Sequence, residues 1–452
     1  MKTMKKVFMM AMAVMMAASM AACSDSSSDT PSDSGQSGSG TNKIGLHYEL
    51  TGAVADYGTA ELKGSQLAIK QVNEAGGNYE EVIYDNKSDT TESVTLAAQL
   101  PNDGVAGVVG PATSGASAAT YQIMNDSKVV VVSPSATAIN QTLNPSDGKV
   151  YDYVFRICFE DSYQGAAMAQ YAVDTLNKEK AVIYADSSSD YAKGLTEAFT
   201  KQFEKLGGTV VATDYYQEKD TDFNSVLTKF KDMDFDVMYI PGYYNEAGLI
   251  IKQARDMGID CEIIGPDGFD SESLIELAGA SNLNKVYYTT AYTTVGASEA
   301  LQAFIDAYKA EYNEEPGMFA ALAYDSTNLL IQAIEKAGST DPEAVRNAVE
   351  SISFDGVTGS FSFDDTHTPI KSVLVVTLGD GVQGDAVAVS PDGDKWYETY
   401  EKGERNFSYF NLKGENVYDT VSSADDQWIV FGEYLCAGSA GIHDGLWNHQ
   451  PD

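Results

Sequence analysis

Six short segments hold most of the side chains able to bind or react with a small solute. TGAVADYG contains Tyr57, PATSG contains Ser114, and PSATA contains Ser135, Ala136 and Thr137, which together offer small hydroxyls and open backbone amides. Farther along, SSSDYAKG contains Tyr191, IPGYY contains Tyr243 and Tyr244, and GPDG contains Asp267, adding aromatic faces and one carboxylate. A hydroxyl at a helix start beside free N–H groups suits a carboxylate, and an Asp at a strand end can hold an ammonium. Each residue also has an ordinary alternative. Ser114 can cap its own helix, Ser135 and Thr137 can serve a turn, Asp267 can be a turn acid, and the tyrosines can be core-edge aromatics. What favours binding is their shared placement just after apolar runs.

Those runs set the architecture. From residue 43, KIGLHYEL leads to a helix bearing Leu62, Ile69 and Val72 that stops at Gly76-Gly77; EVIYD, VAGVVG, a helix near 114–124 and VVVVS follow. After YVFRICF come a helix over 163–177, AVIYAD, a helix over 190–206, GTVVATDYY, a helix over 222–232, DVMYIPG, a helix over 245–256, CEIIGPDG and a helix over 271–278. Val/Ile-rich strands alternating with helices predict parallel sheets covered on both faces. Two such series predict an α/β chain of two doubly wound lobes, to which VYYTTAY and helices near 297–312 and 318–337 must return. In open parallel sheets ligands bind beyond the carboxyl ends of the strands, where the six segments lie.

Catalysis and metal binding find little support. No G-x-S-x-G elbow or G-x-x-x-x-G-K-[ST] loop occurs, and Gly104, Gly107 and Gly110 run along a strand with the wrong spacing for a dinucleotide fingerprint. A hydrolase would need a nucleophile with an adjacent base, yet no His lies in the six segments, and His47 falls inside the first strand. The 4 Cys and 4 His are scattered without ligand spacing, so no enzyme, metal or cofactor is expected. Cys158 and Cys261 sit in apolar runs as small buried hydrophobes. The 29 Lys and Arg against 66 Asp and Glu give a net charge of −37, which opposes phosphate backbones and anionic lipid and excludes nucleic acid as an expected partner.

The amino terminus reads as an export signal: Lys2, Lys5 and Lys6 precede an apolar run over 7–22 that ends at Cys23. A membrane-spanning helix needs about 20 apolar residues, and no later stretch is long enough. Met-Ala-Ala-Cys at 20–23 resembles a bacterial lipobox, which makes Cys23 the lipid attachment site. The segment 24–42 is a Ser/Asp/Gly-rich tether. Residues 379–452, which carry all three Trp, shift to Gly, Asp and Asn without a helical period; disorder or loose packing is the first expectation there, with a small β-rich element or sequence foreign to the ancestral gene as the alternatives.

The stretches GAVADYG, KGSQLAIKQVNEAGG, GVVGPATS, VVSPSATA, DYAKGLTEAF, KDTDFNSVLTKFK, YIPGYYNEAGLIIKQARDMGI and IIGPDG resemble the leucine/isoleucine/valine-binding family of type I periplasmic solute-binding proteins, over about residues 43–378. The resemblance implies two lobes hinged by three crossovers near 155–161, 289–292 and 356–361, with 43–157 plus 290–357 in one lobe and 158–289 plus 358–378 in the other. It also implies that Ser114, Ser135 and Thr137, with a backbone contact from Ala136, receive the α-carboxylate of an amino acid. Tyr191, Tyr243 and Asp267 would meet the α-ammonium, and Tyr57 and Phe319 would line the side-chain pocket. The family often has Glu where this chain has Asp267. The implied protein is a monomeric, lipid-anchored binding component on the outer face of the bacterial cytoplasmic membrane or in the periplasm. It would deliver its amino acid to the permease and ATPase of an ABC importer. A sensor of the same fold, or a binder of an amide, urea or short peptide, is the alternative.

Overall fold

The computed structural model describes residues 41–295, 297–369 and 371–389, and the backbone alone of three later strands. Strands β1 (Asn42–Tyr48), β2 (Tyr79–Asp85), β3 (Gly107–Val109), β4 (Val131–Ser133) and β5 (Val154–Arg156) form one parallel sheet in the order β2-β1-β3-β4-β5. Alternate side chains enter opposite layers, as the period of two requires. Val109, Val130 and Val132 join the large core beneath helices Ala55–Glu74 and Met318–Ala337, while Val108, Val131 and Val154 pack with Ala97, Tyr121 and Met124 on the other face. Gly64 lets the two long helices cross closely, because a methyl group there would collide with the Ala320 carbonyl oxygen. That approach carries Phe319 to Tyr57.

The second sheet begins with β6 (Lys180–Asp186), β7 (Thr209–Tyr216), β8 (Val237–Tyr239), β9 (Glu262–Gly265) and β10 (Val286–Thr290), parallel in the order β10-β9-β8-β6-β7. Both lobes therefore reverse winding direction next to their first strand, between β1 and β3 and between β6 and β8. A crevice opens at each reversal. The expected doubly wound α/β lobes are present, with helices Asp161–Asp174, Asp190–Lys205, Asn224–Lys231, Tyr244–Asp256 and Glu272–Ala278 within a residue or a few of their expected spans.

Two helices were not foreseen. Thr90–Gln99 buries only Ser93 and Ala97 and so shows almost no apolar stripe, although Asp89 caps it by accepting from Glu92 N. Pro342–Glu350 starts at an Asp341 cap followed by Pro, an N-terminal signature.

The chain leaves the first lobe through 157–160 and returns after β10, reaching helix Glu299–Tyr312. The third crossing lies later than expected. Residues 356–361 belong instead to a hairpin, β11 (Phe354–Gly356) with β12 (Gly359–Phe361). Asp325 of the first lobe accepts from Val357 N (2.9 Å), Thr358 N (2.8 Å) and Thr358 Oγ1 (2.5 Å) and pins the hairpin's turn. The next residues stay with that lobe too. Thr142 Oγ1 donates to Thr366 O (2.6 Å), and Phe155 stacks on His367 at 4.1 Å. Thr358, Thr366, His367 and Thr368 are thus held by the first lobe, and the crossing comes after Thr368 and before Val373.

Beyond it, β13 (Val373–Gly379) joins β10 in antiparallel fashion, and β14 (Val382–Val389) pairs with β13. Disorder after 378 is therefore corrected for this stretch. Ala386, Ala388 and Val389 are buried, a short alternation in VQGDAVAV that a search for helical period passes over. The backbone of β15 (Lys395–Glu401), β16 (Glu404–Phe410) and β17 (Asn416–Ser422) continues the sheet. The export signal, Cys23 and the tether lie outside the described residues. Among the described residues no helix is long and apolar enough to cross a membrane.

Candidate functional site

A narrow, nearly filled cleft lies where the strand ends of the two lobes face each other. It is lined by Tyr57, Ala112, Thr113, Ser114, Ser135, Thr137 and Phe319 of the first lobe and Tyr191, Tyr243, Asp267 and Gly268 of the second. The lobes touch around it. Tyr57 Oη donates to Gly268 O (2.5 Å), Tyr244 Oη to Ala53 O (3.1 Å) and Ser271 Oγ to Asp56 Oδ2 (2.6 Å).

On the first-lobe wall the helix cap is Thr113, whose side chain accepts from Ala116 N, leaving Ser114 as the first helical residue. Ser114 Oγ instead accepts from Ala138 N (3.1 Å) and ties the two hydroxyl loops together. Ser135 Oγ stands 2.5 Å from Glu61 Oε1 and 2.8 Å from Ala112 O. Thr137 is buried, and its hydroxyl lies by the carboxyl of Asp161. Ala136 is the exception among the expected residues, because it does not line the cavity. Its N–H donates to Ser133 Oγ (3.2 Å) and its carbonyl accepts from Arg156 Nη1 (3.3 Å). The fully buried Arg156 also donates to Ala138 O (2.8 Å) and Thr368 Oγ1 (3.0 Å) and pairs with Glu160 at 2.5 Å, so it braces the hydroxyl loop against the first crossover and the segment that leads to the third.

The second-lobe wall is aromatic around one acid. Tyr191 Oη donates to Asp267 Oδ1 (2.5 Å) and accepts from Gly268 N (3.1 Å). The Tyr191 ring stacks on Tyr243 at 5.2 Å, Tyr243 meets Tyr57 edge-on at 5.6 Å, and Tyr57 stacks on Phe319 at 4.3 Å. Four rings thus form a continuous apolar strip from the carboxylate into the first lobe.

Burial raises the Asp267 carboxyl to about 6, partly offset by the hydrogen bond from Tyr191. The neighbouring Asp161 is raised well above its ordinary value, by burial and then by the charge of Asp267. Behind the first wall, burial likewise raises Glu49 and Glu61. Among the described residues no Lys, Arg or His lines the cavity. His47 is buried and lowered to about 4 by that burial, which suits a neutral structural ring.

The profile of the periplasmic binding protein family matches residues 41–383. The chain belongs to that family, and within it to the leucine/isoleucine/valine-binding group. It is 32% identical over 329 residues, 72% of this chain and 86% of the relative, to a leucine-, isoleucine-, valine-, threonine- and alanine-binding protein of Pseudomonas aeruginosa. Among solved structures, the branched-chain amino acid transporter substrate-binding protein LivJ of Streptococcus pneumoniae, in complex with isoleucine, shares 42% identity at a TM-score of 0.74. The match covers 78% of this chain and all of that one. The leucine-binding protein LivK of Thermotoga maritima matches at 32% identity and a TM-score of 0.72, covering 78% of this chain and 99% of that one.

In this periplasmic binding protein the strand-end loops carry the lining except for Tyr57 and Phe319, which stand on helices, and its supports lie largely outside them. Gln164, whose Oε1 accepts from Asp267 N (2.7 Å) and whose Nε2 donates to Asp161 Oδ1 (3.0 Å), lies on a helix and carries no local signal. Glu49 directly follows β1, a position the strand-end rule covers. Its carboxylate accepts from Ala112 N (3.0 Å), Thr113 N (3.1 Å) and Thr113 Oγ1 (2.7 Å). Glu61 follows Tyr57 by four residues on the same helix, a spacing that places both toward the cleft.

Proposed function

We propose that this protein is the extracytoplasmic binding component of an ABC importer and captures an aliphatic amino acid, branched-chain foremost, by closing its two lobes. The observation that carries the reading is the polarity of the cavity. Hydroxyls of Ser114, Ser135 and Thr137 stand on one wall, Asp267 with Tyr191 and Tyr243 on the other, and the Tyr57–Phe319 stack lies beside them. A zwitterion would place its carboxylate on the first wall and its ammonium on the second, with its apolar side chain along Tyr57 and Phe319. Contact with both lobes favours the closed state through differential affinity. The names of the similar proteins, among them an isoleucine complex, support the ligand class. In this reading Cys23 is acylated and tethers the protein outside the cell, and permease and ATPase subunits are its partners.

Thermal unfolding of the secreted chain against the twenty amino acids and a set of amides tests it. A ligand at 100 times its Kd should stabilise by about 2.7 kcal/mol, and leucine, isoleucine or valine is expected to give the largest shift. A response to uncharged amides with none to amino acids would overturn the assignment.

A further inference from the structure

The two glutamates behind the first wall have opposite surroundings. Glu49 receives three donors, two N–H groups and a hydroxyl, which suit a carboxylate. Glu61, on helix Ala55–Glu74, is fully buried. Its Oε1 stands 2.5 Å from Ser135 Oγ, and its Oε2 has no hydrogen-bond partner among the described residues. An ionised carboxylate with a bare buried oxygen would carry a large desolvation cost. Other titratable groups facing Glu61 offer no relief, since Glu49 and Tyr48 add repulsion or a neutral phenol and no cation contributes. Arg156, the cation bracing the same loop, is committed to Glu160, Thr368 and two carbonyls.

Proton counting at Ser135 leads to the same state. Its hydroxyl has one proton and two neighbours, Glu61 Oε1 and the carbonyl of Ala112. A carbonyl can only accept. If Ser135 donates to Ala112 O, the proton between Ser135 and Glu61 must belong to the glutamate. We infer that Glu61 is a neutral carboxylic acid that donates to Ser135 Oγ, so that the one serine proton, given to Ala112 O in the structure, can turn to the carboxylate of the ligand instead of being held by Glu61. An ionised Glu61 would take that proton for itself and place a second negative charge behind the anion. A neutral one forms a relay, Glu61 O–H to Ser135 O–H to ligand carboxylate, in which each bond polarises the next. Glu61 is in this sense a positioning residue. It helps an acidic chain accept an anion where no described Lys or Arg lines the cavity. The inference rests on the proposed amino-acid site and names how its anionic end is received.

Infrared difference spectra of wild type minus Glu61→Gln, both saturated with isoleucine at neutral pH, test the protonation directly. The expected result is the C=O stretch of a protonated carboxylic acid, shifted in deuterium oxide and absent from the variant. Ser135→Ala, which removes the partner and keeps the acid, should move that band. In calorimetric titrations Glu61→Gln, still able to donate, should bind isoleucine within about threefold of wild type. Glu61→Leu, which cannot donate, should lose about tenfold. A difference spectrum containing only the two stretches of an ionised carboxylate would overturn the inference, as would a Glu61 band unmoved by Ser135→Ala. Failure of wild type to bind isoleucine would instead count against the ligand reading. The band, measurable without ligand, would still report the state of Glu61.

Discussion

In the proposed reading the two walls of the cavity meet opposite electrostatic demands by different means. The first-lobe wall presents neutral dipoles: Ser114 and Ser135 are locked to Ala138 N, Glu61 and Ala112 O, and its acids stand behind it. The second-lobe wall presents a single charge, Asp267, held between Tyr191 and the Gln164-anchored backbone. An anion received by several dipoles depends weakly on each of them, whereas a cation received by one carboxylate depends on that group alone. Losses of function should therefore be concentrated in the second lobe.

The largest expected effect is that of Asp267→Ala. Truncating one partner of a buried charge pair costs about 2–5 kcal/mol, so isoleucine affinity by calorimetry should fall at least 30-fold. The melting of the unliganded protein should change little, because the buried carboxyl is itself poorly solvated. An unchanged titration would remove Asp267 from the site and break the contrast between the walls.

A smaller effect follows from pH. Burial lifts Asp267 to about 6, and an ammonium ligand favours its ionised form. Affinity should thus be flat above that value and weaken as pH falls below it, approaching about tenfold per pH unit. The residual binding of Asp267→Asn should lack this dependence. An acid limb that persists in the variant would assign it to another group, Asp161 being the coupled neighbour.

Tyr57→Phe should have the smallest effect of the three. It removes the bond to Gly268 O across the cleft and keeps the stack on Phe319, so a net loss of about 0.5–1.5 kcal/mol, two- to tenfold in affinity, is expected. A loss as large as that of Asp267→Ala would mean that closure, and not the charge, dominates binding.

Much of the fold was legible because a strand buried on both faces and a helix with one apolar face leave different periods in the chain. Where the period is faint, the reading failed. Helix Thr90–Gln99 buries too few side chains to show a stripe. The segment 356–361 reads as a break, yet Asp325, some thirty positions earlier, folds it onto the first lobe. The strand at Val382–Val389 exists because β13 offers an edge to pair with. At the site, Tyr57, Ser114, Ser135, Thr137, Tyr191, Tyr243 and Asp267 could be found because parallel sheets send their strand-end loops to one rim. Phe319, inside a helix, rested on resemblance alone, and Ala136, expected to touch the ligand, turned out to have both backbone groups engaged elsewhere.

The order of apolar runs and polar loops was enough to predict two lobes, with hydroxyls at the strand ends of one and an acid at those of the other, since chain direction in a parallel sheet decides which loops share a rim; that the two rims face each other is seen only in the tertiary structure. Which of those groups are charged was decided only by tertiary structure. Ser135 meets Glu61 across 74 positions and Tyr191 meets Asp267 across 76. The protonation of a buried acid depends on the donors and the water around it in space, and neither is written in its sequence neighbours.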